Sequence, residues 1–372
     1  MPPAAAEDAH VLLEELGWDT YFEAVWHALE REATGVPARV VSQQRGLWRV
    51  AGEFGECWAT PSGKLRESTD LDGDWPAVGD WVAAQSTITD DRATIHAVLQ
   101  RRSQFVRKMA GKRVAQQVIA ANVDTAFLVA ALDGDFNLRR LERYLTQCWD
   151  SGASPVIVLN KADECDAVAA RVADAESIAR GVPVLPMSAQ TGSGIVAMDA
   201  FLTPGRTVVL LGSSGVGKST IVNRLLGQHA QATQPVRESD SRGRHTTTAR
   251  ELLRLPTGAL IIDTPGLREL QLWDAADGVM ESFADIEELA SECRFRDCRH
   301  DNEPGCAVLA AIESGALDRA RWENRRKLER EQEFLRRKMD PEARHESQQK
   351  LKVVMRGVKQ MYGQREKDRG KA

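Results

Sequence analysis

The chain has 372 residues, of which 42% are hydrophobic and 28% are charged, a composition typical of a globular protein with two or three domains. Its longest apolar run, from Thr125 to Leu132, covers about eight residues and is too short to cross a bilayer. The N-terminus is acidic and lacks the basic-then-apolar pattern of a secretory signal. These observations exclude a membrane-spanning protein and predict a cytoplasmic protein that has no membrane partner.

The net charge of −5 is unevenly distributed along the chain. Residues 316–372 contain 18 Lys and Arg against 10 Asp and Glu, whereas the rest of the chain is acidic. A basic end on an acidic body favours a polyanionic partner such as nucleic acid, but a solvated helical face would have the same composition. The charge alone leaves both interpretations open.

Residues 1–35 are predicted to form an N-terminal helical arm. Apolar residues recur at helical spacing between residues 7 and 31, and Gly17 marks a break between two short helices. Such an arm either docks on another molecule or packs on its own protein. We favour packing, because an amphipathic helix usually buries its apolar stripe against its own core.

Residues 36–105 are predicted to form a small closed β-barrel of the OB-fold type. Short β-rich runs separated by turn residues occupy residues 36–42, 46–52, 56–60, 79–85 and 93–99. Barrels of this type often bind oligonucleotides, but this segment is not basic, so its charge does not identify an RNA-binding surface. The stretch from Arg101 to Arg113 contains six basic residues and no acidic one, and it joins the barrel to the next domain.

Residues 106–275 are predicted to form an α/β domain with a mostly parallel sheet, because buried strand patterns alternate with helical patterns from Asn122 onward. One strand–loop–helix unit contains GSSGVGKS at residues 212–219, which matches the phosphate-binding pattern G-x-x-x-x-G-K-[ST]. In such a loop the glycines let backbone N–H groups surround a phosphate, and the lysine contacts the β- and γ-phosphates. The predicted phosphate-binding residues are Gly212, Ser213, Ser214, Gly215, Val216, Gly217, Lys218, Ser219 and Thr220. Lys218 is also a catalytic candidate, and the Ser219 hydroxyl is a candidate Mg²⁺ ligand.

A second motif, NKAD at residues 160–163, comes after another apolar strand and has the form of the guanine-reading motif of GTPases. The Asp163 carboxylate would accept hydrogen bonds from N1–H and the 2-amino group of guanine, a donor pair that adenine lacks. Asn160 would brace the loop, and Lys161 would cover the plane of the base. The loop SAQTG at residues 188–192 would read guanine O6 through its backbone, with Ser188 and Ala189 as the contacting residues. Together these motifs predict GTP as the ligand rather than ATP.

The order of the two motifs is unusual. An ordinary GTPase has its phosphate-binding loop first and its base-reading motif last, whereas here the base-reading motif lies about fifty residues upstream of the loop. The sequence therefore predicts a circularly permuted GTPase domain.

The segments that sense the γ-phosphate are predicted downstream of the phosphate-binding loop. Asp263 and Gly266 belong to a D-x-x-G motif after an apolar strand; the aspartate would hold Mg²⁺ through water and the glycine N–H would contact the γ-phosphate. One of the threonines at 246–248 would bind Mg²⁺ and close over the phosphate, and Thr247 is the one that we favour. Leu267 stands where many GTPases place a water-orienting glutamine. His245 is the nearest replacement, and an ordinary loop histidine is the alternative.

Residues 276–372 are predicted to form a zinc-bearing helical domain with a basic tail, interrupted by Pro341. The predicted zinc ligands are Cys293, Cys298, His300 and Cys306. Three thiolates and one imidazole complete a tetrahedral set with no open position, which is typical of structural zinc. Incidental cysteines are the alternative. The isolated cysteines are interpreted as core thiols: Cys57, Cys148 and Cys165.

Taken together, these motifs resemble the RsgA (YjeQ) family of circularly permuted GTPases. The resemblance covers about residues 36–340 and includes PAVGDWV, AANVD, NKAD, SAQTG, GSSGVGKS, GRHTTT, DTPG and the cysteine–histidine set. It implies an OB-fold, a permuted GTPase domain and a zinc-bearing helical domain. It is also consistent with His245, within GRHTTT, acting in hydrolysis.

The resemblance also implies a role in late maturation of the small (30S) ribosomal subunit. It implies GTP-dependent binding to the subunit and 16S rRNA, hydrolysis stimulated by the subunit, and release of the assembly factor RbfA by a monomeric protein. Two other hypotheses stay open: an RNA-binding scaffold with a structural nucleotide, and a permuted GTPase that acts on the large subunit.

Overall fold

The computed structural model of the chain describes nine stretches of residues: 12–29, 34–44, 46–68, 75–87, 92–108, 116–134, 136–227, 250–263 and 276–339. These form a short N-terminal arm, a β-barrel, an α/β unit and a group of C-terminal helices. None of the described helices is long and apolar enough to cross a membrane.

The N-terminal arm packs on the barrel. A helical turn at residues 12–15 precedes helix α1, Thr20–Leu29, and Gly17 separates the two with a positive φ of 89°. The rings of Trp18 and Phe22 lie against the fully buried Trp81 of the barrel, with centroids 4.7 and 5.8 Å away. The described part of the arm therefore buries its apolar face on its own protein, as the helical spacing indicated.

The barrel is built from the five predicted strands and closes on itself. Its elements are β1 (Val36–Gln44), β2 (Leu47–Gly52), β3 (Gly55–Pro61), α2 (Gly63–Ser68), β4 (Trp81–Thr87) and β5 (Arg92–Val98). The strands have the order β1-β2-β3-β5-β4, and β4 pairs back with β1 to close the ring. Its core contains Val40, Val50, Val82 and Ile95. Helix α2 was not anticipated from the sequence.

The basic stretch after the barrel begins a β-hairpin. Strand β6, Gln104–Lys108, pairs antiparallel with β7, Gln116–Ala121. Phe105 and Ile119 are buried in the core of the α/β unit rather than in the core of the barrel. The described part of this stretch therefore joins the barrel to the α/β unit and also contributes Phe105 to the core of that unit.

The α/β unit has the expected mostly parallel sheet. Its elements are β8 (Thr125–Ala131), α3 (Leu138–Ser151), β9 (Ser154–Asn160), α4 (Val168–Ile178), β10 (Val184–Pro186), β11 (Thr207–Leu211), α5 (Lys218–Leu226), β12 (Arg250–Arg254) and β13 (Leu260–Asp263). The strand order is β10-β9-β8-β11-β13-β12, and only β12 runs antiparallel to its neighbour in the unit. The phosphate-loop strand β11 and the strand β9, which ends at the base-reading motif, thus lie on either side of β8, although β9 and β11 are far apart in sequence.

The barrel and the α/β sheet are joined edge to edge. Strand β12 pairs antiparallel with β1, with Ser42 opposite Glu251 and Gln43 opposite Arg250, so that the described strands form one eleven-stranded sheet and a separate hairpin. No sequence pattern had indicated this pairing.

A buried arginine reinforces the junction. The Arg39 guanidinium donates hydrogen bonds to the Thr207 hydroxyl (2.8 Å) and to the carbonyls of Gly79 (3.3 Å), Asn122 (3.4 Å) and Leu16. Burial lowers the pKa of Arg39 to about 10. One side chain thus holds together the arm, the barrel and the α/β unit, and its polar partners compensate for its burial.

The C-terminal described region is helical, as predicted. It contains α6 (Ala276–Ser282), α7 (Ala284–Ser291), α8 (Ala307–Ser314) and α9 (Arg319–Met339). These helices share a small core that includes Phe283, Ile286, Val308 and Leu328. Pro341 and the basic tail after it lie outside the described residues.

Helix α3 of the α/β unit packs on the C-terminal helices through buried charges. The fully buried Glu142 accepts hydrogen bonds of 2.6 Å each from Arg139, Arg321 and Asn324. Arg321 also forms bonds of 2.7 and 3.0 Å with Asp285. Burial acts to lower the pKa of Arg321, but Asp285 and Glu142 outweigh this effect and raise it. The interface therefore depends on a satisfied ion network as well as on apolar packing.

Candidate functional site

The phosphate-binding loop joins a fully buried strand to the start of a helix. Gly212, Gly215 and Gly217 have positive φ angles of 152°, 85° and 95°, which favour glycine. A Cβ atom on Gly212 would lie 2.4 Å from the Val129 carbonyl oxygen, and one on Gly217 would lie 2.3 Å from the Asn160 side-chain nitrogen. Two of the three glycines are therefore also required by close packing, and the loop has the conformation that its motif predicts.

The lysine of the loop lies over the loop itself. Lys218 Nζ donates hydrogen bonds of 2.6 Å to the carbonyl oxygens of Gly212 and Ser213. Ser219 and Thr220 are exposed in the first turn of α5, and Ser214 is exposed in the loop. Because these two bonds hold the Lys218 ammonium against the loop, a phosphate bound in the loop would lie next to a positive charge.

The base-reading motif meets the phosphate loop through one asparagine. Asn160 is 3% exposed at the end of β9; its amide nitrogen donates to the Val216 carbonyl (2.8 Å), and its oxygen accepts from the Ala189 N–H (2.8 Å). Strands β9, β8 and β11 pair in parallel, so the carboxyl ends of β9 and β11, where the two motifs begin, lie at one edge of the sheet. Motifs that are far apart in the permuted chain therefore meet in the fold.

The residues that follow Asn160 in the base-reading motif lie at the same edge of the sheet. Lys161 has a positive φ of 63°, and its ammonium lies 2.8 Å from Asp133; this hydrogen bond raises the pKa of Lys161. Asp163 is exposed in a short 3₁₀ helix at residues 162–164. Its carboxylate is therefore accessible to a base that enters this edge.

The loop at residues 188–192 is folded by its own hydrogen bonds. Ser188 is buried and accepts two hydrogen bonds. Its carbonyl oxygen accepts one from the Gly192 N–H (2.8 Å), and its hydroxyl oxygen accepts one from the Thr191 N–H (3.1 Å). Arg224 of α5 donates to the Ala189 carbonyl (2.9 Å). The Ala189 N–H donates its hydrogen bond to the Asn160 side-chain oxygen in this structure. To contact guanine O6 as well, this N–H would have to donate to both oxygens or give up the bond to Asn160.

Two contacts to the phosphate loop were missed by the sequence reasoning. Arg140 of α3 donates to the Ser213 hydroxyl (2.9 Å), and the Tyr144 hydroxyl lies 3.4 Å from the same atom. Both residues belong to a helix whose sequence shows only ordinary amphipathic spacing, so no local signal could have identified them. Asp133, the partner of Lys161, lies in the loop after β8 and was missed because no motif marks it.

Asp263 ends β13 and is exposed, opposite Glu251 of β12. The other predicted γ-phosphate sensors lie outside the described residues: His245, Thr246, Thr247, Thr248, Gly266 and Leu267. Their roles stay predictions.

The four predicted metal ligands form one cluster. The ligand atoms of Cys293, Cys298, His300 and Cys306 all lie within 4.8 Å of one another. Cys293 Sγ is 3.9 Å from Cys306 Sγ and 3.5 Å from His300 Nδ1. A tetrahedral zinc ion would separate two thiolates by about 3.8 Å and a thiolate from an imidazole nitrogen by about 3.6 Å, given its usual bond lengths. The spacing thus fits a tetrahedral metal.

The surroundings of the cluster favour the metal-binding protonation states of Cys293 and His300, whereas burial raises the pKa of Cys298 to about 11. Burial acts to raise the pKa of Cys293, but hydrogen bonds from the backbone of Ala307 and Val308 outweigh it and leave the pKa lowered. Burial and the nearby Arg325 lower the pKa of His300, which favours the neutral imidazole that ligates metals. The remaining cysteines fit core thiols, since Cys57 and Cys148 are buried and Cys165 is half-buried.

Comparison with known proteins agrees with this arrangement. A sequence model of the RsgA GTPase family matches residues 98–273. A small ribosomal subunit biogenesis GTPase RsgA of Opitutus terrae is 46% identical over 354 residues, which cover 93% of this chain and 96% of its own length. The protein of the same name from Streptomyces coelicolor is 43% identical over 360 residues, which cover 95% of each chain.

Solved structures show the same architecture. The crystal structure of YjeQ from Thermotoga maritima superposes with a TM-score of 0.58 at 28% identity, covering 80% of this chain and 98% of that one. YloQ, a circularly permuted GTPase, superposes with a TM-score of 0.57 at 25% identity, covering 80% and 95%. With its closed barrel, its permuted motif order and relatives of this similarity, the chain belongs to the RsgA GTPase family.

Proposed function

We propose that this protein hydrolyses GTP to GDP and phosphate and that it acts in the biogenesis of the small ribosomal subunit. The observation that carries the proposal is the position of Asn160, whose side chain bonds to Val216 of the phosphate loop and to Ala189 of the base-reading loop. This bridge supports the proposal, because it connects the two halves of the proposed GTP site in spite of the permuted order. The names of the relatives supply the ribosomal role.

In the proposed site, the loop from Gly212 to Ser219 surrounds the phosphates and Lys218 contacts their oxygens. Asp163 selects guanine, and Lys161 covers the base. The Ser219 hydroxyl and the Asp263 carboxylate are oxygen ligands of the type that Mg²⁺ prefers. Mg²⁺, when bound with GTP, neutralises charge that develops on the phosphates.

Hydrolysis requires a water molecule to be oriented in line with the γ-phosphate. We propose His245 for this role, because Leu267 cannot hydrogen-bond water, and Thr247 for closing over the γ-phosphate. The Gly266 N–H would sense that phosphate. These assignments rest on the sequence alone.

For the C-terminal cluster we propose one structural zinc ion, held by Cys293, Cys298, His300 and Cys306. The proposal is supported by the mutual distances of the ligand atoms and by the donor set, which leaves no open position for catalysis. Bound zinc would stabilise a helical region whose apolar core is small.

The family resemblance extends the proposal to the partners. The small subunit and its 16S rRNA would bind the GTP form, and the subunit would stimulate hydrolysis. Release of RbfA and a monomeric state in solution belong to the same proposal. We also propose the following division of the chain into domains: an arm (1–35), a barrel (36–105), a GTPase domain (106–275) and a zinc-binding domain with its tail (276–372).

The decisive experiment measures phosphate release from GTP with purified small subunits, with large subunits and with neither. We expect slow release alone and acceleration only with small subunits; completion of a GTPase site by a partner can accelerate hydrolysis by about 10³- to 10⁵-fold. The Lys218→Ala variant is the control, since it should lose turnover while keeping the fold. Single-turnover release that is absent in every condition would favour the scaffold hypothesis, and stimulation by large subunits would contradict the proposed partner.

A further inference from the structure

A groove of about 510 Å³ opens between the barrel and the β6–β7 hairpin. None of its lining residues is assigned to GTP binding or to the cysteine–histidine cluster. Described residues of β1, β2, β3, α2 and β7 line it, and none of them is acidic. Its volume falls in the range typical of small-ligand sites, about 300–1,000 Å³.

The floor of the groove is flat and aromatic. The rings of Trp48 and Trp75 are parallel, with an interplanar angle of 6° and centroids 6.0 Å apart. Trp48 is buried, and its indole N–H donates to the Pro76 carbonyl (2.7 Å), whereas Trp75 is only half-buried. The pair is thus anchored at Trp48 and presents Trp75 as a fixed aromatic surface.

The polar side of the groove is biased toward hydrogen-bond donors. The side-chain oxygen of Gln43 accepts from Arg250 (3.0 Å), and that of Gln117 accepts from Arg107 (3.2 Å). Because each oxygen already has an arginine as its partner, the amide NH₂ groups are the polar ends left for a ligand in the groove. The exposed Arg66 adds a guanidinium at the rim.

Positive charge lies directly behind the two glutamines. Arg250 is 9% exposed, and burial together with the neighbouring charge of Arg107 lowers its pKa to about 10. Among the described residues, neither arginine forms an ion pair with a carboxylate. Among the residues that the structure describes, no carboxylate therefore neutralises these two cations at ion-pair distance.

We propose that this groove binds an unpaired nucleotide of single-stranded RNA, with its base stacked on Trp75, its acceptor atoms facing Gln43 and Gln117, and its phosphate near Arg66. An aromatic floor, donor amides and nearby cations match what an extruded RNA base requires. The inference rests on the proposed function, because it names a site through which the barrel contacts RNA. A free mononucleotide has the same chemistry, and we assign RNA because the proposed function brings the protein to ribosomal RNA.

The test uses the full-length protein with GDP saturating its GTP site, and a short fluorescent single-stranded RNA of mixed sequence. Loss of one base–aromatic stack should weaken binding by about 5- to 150-fold, so Trp75→Leu is the main variant. Arg66→Gln, at an exposed position, should weaken binding without any effect on the barrel. Trp58→Leu is the matched control, because Trp58 is another half-buried barrel tryptophan and lies outside the groove.

RNA containing 4-thiouridine, cross-linked to the wild-type protein, should label the peptides that carry Trp75 or Gln117. Unchanged affinity in both groove variants, or adducts found only elsewhere, would overturn the proposal. Displacement of the RNA by an equal concentration of AMP or UMP would overturn the assignment to RNA. Subunit-stimulated GTP hydrolysis by the wild-type protein is measured separately, so that a failure of the proposed function can be distinguished from a failure of the groove.

Discussion

The contact between α3 and the C-terminal helices should depend on the buried carboxylate of Glu142. This group accepts hydrogen bonds of 2.6 Å from Arg139, Arg321 and Asn324 and is fully buried. The substitution Glu142→Gln preserves the shape of the side chain but removes its charge. The amide NH₂ that replaces one oxygen cannot accept a hydrogen bond, so at least one of the three donors loses its partner.

The magnitude depends on the partners that remain after the substitution. A hydrogen bond to a charged group contributes about 1.5–3 kcal/mol, and breaking a buried ion pair costs about 3–5 kcal/mol when it orphans the partner. Here Asp285 still neutralises Arg321 through bonds of 2.7 and 3.0 Å. We therefore expect the free energy of opening this interface to fall by about 2–3 kcal/mol, below the full cost of an orphaned charge.

Hydrogen exchange measures this free energy locally, which suits a multidomain chain that need not unfold in one step. Amides of α6 and the first turns of α9 should exchange about 30- to 150-fold faster in Glu142→Gln. The control is Glu331→Gln, since Glu331 contacts Arg143 (2.9 Å) across the same two helices but is partly exposed. Such a surface pair contributes about 0–1 kcal/mol. Equal exchange rates in the two variants would refute the reasoning.

Three further predictions concern the two candidate sites. Asp163→Asn should shift preference from guanine toward xanthine nucleotides in competition binding, and an unchanged preference would contradict the base-reading role. Asn160→Ala removes two hydrogen bonds between the loops and should weaken GTP binding by about 5- to 150-fold in calorimetry, because each bond contributes about 0.5–1.5 kcal/mol. Cys306→Ser should lower the zinc content below one per chain in elemental analysis and destabilise α8, which begins after Cys306, whereas Cys57→Ser should leave the zinc content unchanged.

The motifs could be predicted from the sequence because each is a local constraint. The glycines of the phosphate loop predict backbone angles that other residues rarely adopt. The structure has positive φ angles at Gly212, Gly215 and Gly217. The alternation of the barrel strands and the spacing of the cysteine–histidine set are local in the same way. These patterns were enough to predict the barrel and the permuted GTPase fold, whereas the roles of the candidate site residues stay predictions.

The features that the sequence did not reveal depend on distant partners. In the sequence, Arg39 is indistinguishable from an exposed arginine of a strand. Its burial depends on the carbonyl oxygens of Leu16, Gly79 and Asn122, which accept its hydrogen bonds in the folded protein. The pairing of β12 with β1 joins strands about 200 residues apart, with Gln43 opposite Arg250. Such long-range pairings leave no periodic signal in either segment.

Helix α3 gives the phosphate loop a direct connection to the C-terminal helices. Arg140 donates to the Ser213 hydroxyl (2.9 Å), while Arg139 and Glu142 of the same helix contact α9 and the residue before it. Because a helix of this length moves as a rigid body, a shift of the loop on nucleotide exchange would be carried to α9. The permuted chain offers a second route, because the segment after Asp263 connects the predicted γ-phosphate sensor covalently to the C-terminal helices; that segment lies outside the described residues.

The two routes can be separated by one substitution. Ser213→Ala removes the contact with Arg140 and leaves the segment after Asp263 intact, so it should abolish the difference in hydrogen exchange of α8 and α9 between GDP and a GTP analogue in the complex with the small subunit. If the variant keeps the wild-type difference, α3 is not the route and the segment after Asp263 carries the coupling. If the wild-type protein shows no difference between the two nucleotides, the phosphate loop and the C-terminal helices are not coupled, and the permutation has no such mechanical consequence.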